Sequence, residues 1–229
     1  MVIGGLQKFS LLDYPGYPAA VLFTVGCNMR CGYCHNPELV LPEQYTPAMP
    51  IEAVIDFLND RRQKLEAVVI TGGEPTMHAD LLDFMATVKA LGYRIKLDSN
   101  GTHPEVLTQA VQHKLVDYFA MDIKGPLKKY QAIAGRPVDL MAIQDSIRII
   151  LSSGLPHEFR TTVVKCLLPP DDFHEIGALI RGAQNFAIQR FVPNNTLNPT
   201  FLSKTTYNDN ELLELKKIMK GYVYACTVR

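Results

Sequence analysis

Short apolar runs of β-forming residues, spaced by amphipathic helical stretches, constrain this chain more than any other feature. Residues 19 to 25, AAVLFTV, are too few for a helix and read as a buried strand. AVVIT at 67 to 71 reads the same way and runs into Gly-Gly. Between them Ile51, Val54, Ile55 and Leu58 share one helical face behind Pro50, a residue suited to a first helical turn. The alternation continues with a helix near 79 to 91 (Leu82, Met85, Val88), strand RIKLDS ending at Asn100-Gly101, and a helix from about 103 to 114. Strand VDYFAMDIK, a helix near 139 to 152, strand FRTTVVK, a helix near 172 to 184, strand FAIQRFV and a helix near 209 to 220 complete the series. Six such units predict a parallel sheet with right-handed crossovers. They are too few for a closed eight-stranded barrel, which leaves an open partial barrel or a doubly wound sheet. No Gly/Ser linker divides residues 1–229, so one domain is expected, with the Pro-rich stretch from about 37 to 50 as a loop over the sheet.

The composition narrows the partners. The 23 basic and 23 acidic residues cancel, so no long-range field draws nucleic acid or an anionic membrane to this protein. No apolar run approaches the ~18 residues of a membrane span, and the N-terminus has no basic segment followed by a long apolar one, so a cytoplasmic protein is expected. Five cysteines, three of them crowded, make no disulfide framework and point to metal or redox chemistry.

Polar and glycine-rich words follow the C-terminal ends of successive expected strands: CNMRCGYC, TGGEP, DSNG, DIKG and PNN. In parallel α/β architectures that edge is where ligands bind. Cys27, Cys31 and Cys34 have no fourth cysteine nearby. A structural zinc site would need four protein ligands, with His35 or a distant cysteine closing the shell. A cubane iron-sulfur cluster instead uses three thiolates on three irons and leaves the fourth iron open to an exogenous ligand. The absence of a second cysteine pair favours the cluster and leaves zinc as the alternative.

The C-x3-C-x2-C spacing of CNMRCGYC, the aromatic Tyr33 before its last cysteine, and GGEP on the following strand resemble the radical S-adenosylmethionine enzymes, whose fold is a partial (β/α)6 barrel of parallel strands. With CNMRCGYCHNPELV, DSNG and MDIKG added, the chain is similar to the activating enzymes of glycyl radical enzymes. Among these it most resembles the activators of anaerobic ribonucleoside-triphosphate reductase, with the pyruvate formate-lyase activators as near relatives.

The resemblance implies a [4Fe-4S] cluster on Cys27, Cys31 and Cys34. S-adenosyl-L-methionine would chelate the open iron and be cleaved reductively to a 5′-deoxyadenosyl radical. It implies an electron donor of low potential, such as flavodoxin or ferredoxin, and a glycyl radical enzyme as protein substrate. It places Tyr33 beside the adenine, and Gly72, Gly73 and Glu74 around the methionyl ammonium, where glycine would let the backbone approach. Asp98 and Ser99, Asp122 with Lys124 two residues on, Arg160 and Asn195 complete the cosubstrate residues. In the formate-lyase activators the corresponding aspartates help bind a monovalent cation. Bland readings stand beside these: a buried structural tyrosine, a Gly-Gly turn, a solvated Asp-Lys pair and a turn asparagine. Pro193-Asn194-Asn195 stands where formate-lyase activators have a histidine, which weakens that branch. His35 is read as a packing residue, and Cys166 and Cys226 as small buried hydrophobes. The alternatives are a formate-lyase-type activase, a radical enzyme acting on a small molecule in the manner of carboxydeazaguanine synthase, and a zinc-binding interaction protein.

Overall fold

The computed structural model describes residues 1–229 and gives an eight-stranded sheet in the order β1 to β8. The elements are β1 (Ile3–Ser10), β2 (Ala19–Thr24), α1 (Pro37–Val40), α2 (Ile51–Asp60), β3 (Ala67–Gly72), α3 (Leu81–Ala90), β4 (Arg94–Ser99), α4 (Pro104–Gln112) and β5 (Tyr118–Asp122). They continue with α5 (Leu127–Ala134), α6 (Leu140–Ser152), β6 (His157–Val163), α7 (Asp172–Leu179), β7 (Asn185–Arg190), α8 (Asp209–Met219) and β8 (Ala225–Val228). All six expected strands are present, and RIKLDS is β4 residue for residue. Two strands are additional, one at each edge of the sheet: β1, antiparallel to β2, and β8, parallel to β7. β1 escapes a pattern reading because IGGLQKFS carries two glycines and no apolar alternation. The stretch expected as a plain loop holds α1 and a 3-10 turn, Pro42–Gln44.

The chain divides into two compact units. The first comprises residues 1–28, 38–99 and 103–119. In it β2, β3 and β4 are parallel and in continuous register, Ala19 opposite Ala67 and Thr24 opposite Gly72. Val54 and Leu58 bury the apolar stripe of α2, and Leu81, Met85 and Val88 that of α3. Alternate residues of β2 and β3, namely Ala19, Val21, Ala67 and Val69, pack with Tyr14 and Tyr118.

The second unit comprises residues 29–37, 100–102 and 120–229. Its β6, β7 and β8 are parallel, with Phe159 opposite Phe186 and Phe186 opposite Cys226. Asp139 caps α6 by accepting from the Met141 and Ala142 amides, and Asn208 and Glu211 form a reciprocal capping box on α8. Glu158, buried in β6, takes both terminal nitrogens of Arg229 at 2.8 and 3.3 Å, so the last residue is pinned beside the sheet. No helix is long and apolar enough to cross a membrane.

Leu22, fully buried on β2, supports the strand that runs into the cysteine loop. Leu22→Ala should lower unfolding stability by about 2–5 kcal/mol, as core truncations do. The urea midpoint measures it.

Candidate active site

The first unit brings together the end of β3, the end of β4 and the approach to Cys27. Gly72 has φ +115° and lies opposite Thr24, so a Cβ there would fall 2.3 Å from the Thr24 backbone nitrogen. A Cβ at Gly73 would fall 2.0 Å from the Gly26 carbonyl oxygen. The Gly73 amide donates to the Thr24 carbonyl at 2.8 Å and the Glu74 amide to the Gly26 carbonyl at 2.7 Å. Both positions are glycine because two strand ends touch backbone to backbone, a reason different from the expected approach to a ligand. The contact ends one residue short of Cys27.

Glu74 is buried, and its carboxylate accepts from Ser99 Oγ at 2.9 Å, Thr76 Oγ1 at 2.5 Å and the Thr76 amide at 3.2 Å. It thereby ties the turn after β3 to the end of β4. Asp98 is buried with Lys96, whose ammonium lies 3.3 Å from the Asp98 carboxylate and donates to the Asp13 carbonyl at 2.7 Å. The Tyr118 ring lies 5.9 Å from the same ammonium. Lys96 was not among the expected site residues. Its signal was present, a lysine two residues before Asp98 in an apolar strand and so on the same face.

The second unit gathers Asp122, Lys124 and Arg160. Arg160 Nε donates to one oxygen of Asp122 at 2.8 Å and Lys124 Nζ to the other at 3.2 Å. Burial would raise the Asp122 carboxyl, but the Arg160 guanidinium and Lys124 ammonium outweigh it and hold the group well below the carboxylate range. Burial would likewise lower the Lys124 ammonium; the Asp122 charge reverses this and raises it well above its ordinary value. Two cations face one carboxylate, leaving one net positive charge next to Tyr33 and Cys31. Such a place suits an anionic group. Tyr33 is buried edge-on to Phe201 with ring centres 6.3 Å apart.

Cys31 is buried, Cys27 and Cys34 are half-buried, and all five cysteines are free thiols. Burial pushes the Cys31 thiol up, and Lys124 partly opposes this. The loop is turned by the Cys34 amide donating to the Cys31 carbonyl at 3.0 Å. No three His, Cys, Asp or Glu side chains are gathered as a single ion would require. Three thiolates are the donor set of a cubane cluster with one open iron, whereas a structural zinc site takes four protein ligands. Asn195 has φ +39° and donates to the His35 carbonyl at 3.2 Å, while His35 stacks on Phe191. Cys226 is buried as expected; Cys166 is exposed, because β6 ends at Val163 and the apolar run continues as a turn.

Gly73→Val should displace Gly26 and with it the approach to Cys27. The expected outcome is loss of most bound iron as well as weakened S-adenosylmethionine binding, read by iron and sulfide analysis after anaerobic reconstitution. The Asp122 carboxyl, depressed in the folded protein, contributes stability that is present above about pH 4 and lost as pH falls through its folded value. Asp122→Asn should therefore flatten the acid limb of stability against pH, measured by urea unfolding from pH 7 downward.

Comparison with known proteins agrees with this geometry. The family model described as the radical SAM superfamily matches residues 21–181. A Methanocaldococcus jannaschii protein named "putative glycyl-radical enzyme activating enzyme" is 34% identical across all of this chain and 95% of its own length. The pyruvate formate-lyase-activating enzyme of Clostridium pasteurianum is 23% identical over 86% of this chain and 84% of its own length. The crystal structure of Streptococcus suis SuiB bound to S-adenosylmethionine superposes with a TM-score of 0.69 at 17% identity, over 90% of this chain. This chain spans about half of SuiB, 49%, and the likeness is one of fold. Parallel strands in this order, the cysteine word after β2, the glycines that bind β3 to it and the match over residues 21–181 lead to one conclusion: the chain belongs to the radical SAM superfamily of enzymes.

Proposed function

We propose that this enzyme is an activase that installs a glycyl radical on a partner enzyme, and that the partner is an anaerobic ribonucleoside-triphosphate reductase. The observation that carries the activase reading is the match to the M. jannaschii relative, 34% identical across all of this chain and 95% of its own length. The superfamily's cofactors are a [4Fe-4S] cluster and S-adenosyl-L-methionine, which together supply a 5′-deoxyadenosyl radical. In this reading Cys27, Cys31 and Cys34 hold the cluster, and residues 1–229 act as one functional domain. The backbone of Gly72 and Gly73, with Glu74 and Ser99, forms one wall for the cosubstrate. Tyr33 lies toward the adenine. Lys124 and Arg160 supply the positive charge that a carboxylate taken out of water requires, and Asp122 keeps both cations in place.

The reading omits a monovalent cation, since Asp98 already has Lys96 beside it and Asp122 has two cations. It includes a one-electron donor of low potential and, for a cluster that must be reduced, the cytoplasm. The choice of reductase rests on Pro193-Asn194-Asn195, where formate-lyase activators have a histidine.

Anaerobic incubation with reductant, S-adenosylmethionine and a panel of glycyl radical enzymes tests this by electron paramagnetic resonance. A doublet from the remaining glycine α-hydrogen is expected on the reductase. It should collapse toward a singlet on α-deuteration and be absent with Cys27→Ala, Cys31→Ala or Cys34→Ala. A doublet only on formate-lyase would change the partner. Deoxyadenosine without any protein radical would point to a small-molecule substrate, and one zinc without iron would end the radical reading.

A further inference from the structure

Residues 28–36, which carry Cys31 and Cys34, contain no strand and no helix before Pro37, so apart from the turn that the Cys34 amide makes with the Cys31 carbonyl their backbone polar groups look for partners outside the segment. One stretch supplies three of them. The Asn198 amide donates to the Gly32 carbonyl at 3.0 Å, the Leu197 amide to the Cys34 carbonyl at 2.9 Å, and the Asn195 side-chain amide to the His35 carbonyl at 3.2 Å. In return His35 Nε2 lies 2.6 Å from the Val192 carbonyl and donates to it. Aromatic packing repeats the pattern. Phe201 lies so close over Gly32 that a Cβ there would come within 2.4 Å of its ring, and the same ring meets Tyr33 and Phe191 edge-on. Phe191 stacks on His35, with ring centres 5.6 Å apart and planes 8° from parallel. The residues on both sides of Cys34 are therefore held by side-chain packing, while Cys34 itself is held through its carbonyl.

We propose that the segment from Val192 to Phe201 is a strap that preorganises the cysteine loop for its cluster, with Asn195 and Phe201 as positioning residues. The proposal rests on the assignment of Cys31 and Cys34 as cluster ligands. A loop already ordered before the cluster arrives loses less conformational freedom on binding it, and a thiolate fixed by its neighbours releases iron more slowly. Gly32 is then glycine so that the Phe201 ring can sit on the backbone. Asn195 occupies a left-handed turn with φ +39°, which asparagine tolerates, and the turn aims its amide at His35. The strap closes from the far end of the chain, some 160 residues from the loop, as the separation of the Asn195–His35 bond records.

Two variants test the strap. Phe201→Ala removes the ring, and Phe201→Tyr restores it. Asn195→Gly removes the amide while keeping the backbone turn, at an exposed position where folding is not at risk. The first readout needs no cluster: hydrogen exchange of residues 28–36 in the iron-free full-length protein, followed by mass spectrometry. Exchange should quicken at least fivefold in Phe201→Ala and Asn195→Gly and stay at the parent rate in Phe201→Tyr. The second is iron release to excess chelator from the reconstituted protein, which should quicken about tenfold in the same two variants, with altered g-values in the reduced cluster. Unchanged exchange in both variants would overturn the strap. A parent protein that takes up no iron anaerobically would overturn the ligand assignment instead, and the exchange measurement would still decide whether the strap orders the loop.

Discussion

The backbone contact between Gly73 and Gly26 is the constraint on which the first half of the site depends. β2 and β3 run parallel in continuous register up to Thr24 and Gly72, and the chains then leave the sheet in touch with one another. A side chain at 73 would occupy the place of the Gly26 carbonyl, which instead accepts from the Glu74 amide. The residues just before Cys27 and the GGEP word are therefore a single folded junction. Glu74, held within it, extends the junction to β4 through Ser99. Backbone contact at this distance is intolerant of any Cβ, so the junction transmits a change at the end of β3 directly to the residue before Cys27.

The second constraint is electrostatic. Taking charge out of water is costly unless it is paired, and each unit carries buried charge. Lys96 and Asp98 sit side by side on β4; Asp122 is held between Arg160 of β6 and Lys124 just beyond β5. Each carboxylate has a cation in hydrogen-bonding or ion-pair range within its own unit. The neighbourhood of Cys31 and Tyr33 is left with an excess of positive charge, a setting that suits the carboxylate of an amino-acid cosubstrate and partly offsets the effect of burial on the Cys31 thiol.

Much of this was legible in the chain. The short apolar runs and the period-3.6 patterns located β2 to β7 and most of the helices, because buried strands and amphipathic helices in a parallel sheet leave strong hydrophobic signals. β1 and β8 left almost none: edge strands bury less, and their pairing comes from partners far along the sequence. The cysteine spacing and the words after each strand were equally readable, since a loop that must carry three thiolates is written in consecutive residues. Lys96 is legible in the same way, since its position two residues before Asp98 places both on one face of the strand.

The sequence by itself determined the alternation, the superfamily word and the candidate site residues, all of which depend on local spacing. Only the tertiary structure decided what those residues do to one another. It added a strand-to-strand backbone contact at Gly72 and Gly73, exposed Cys166 beyond the end of β6, and set Arg160 on Asp122. It also brought residues 192 to 201 onto the loop at 28 to 36. Such contacts join positions separated by tens to more than a hundred residues, and no local propensity encodes them. They exist because the sheet brings the ends of its strands to one edge, where unpaired backbone groups must find partners.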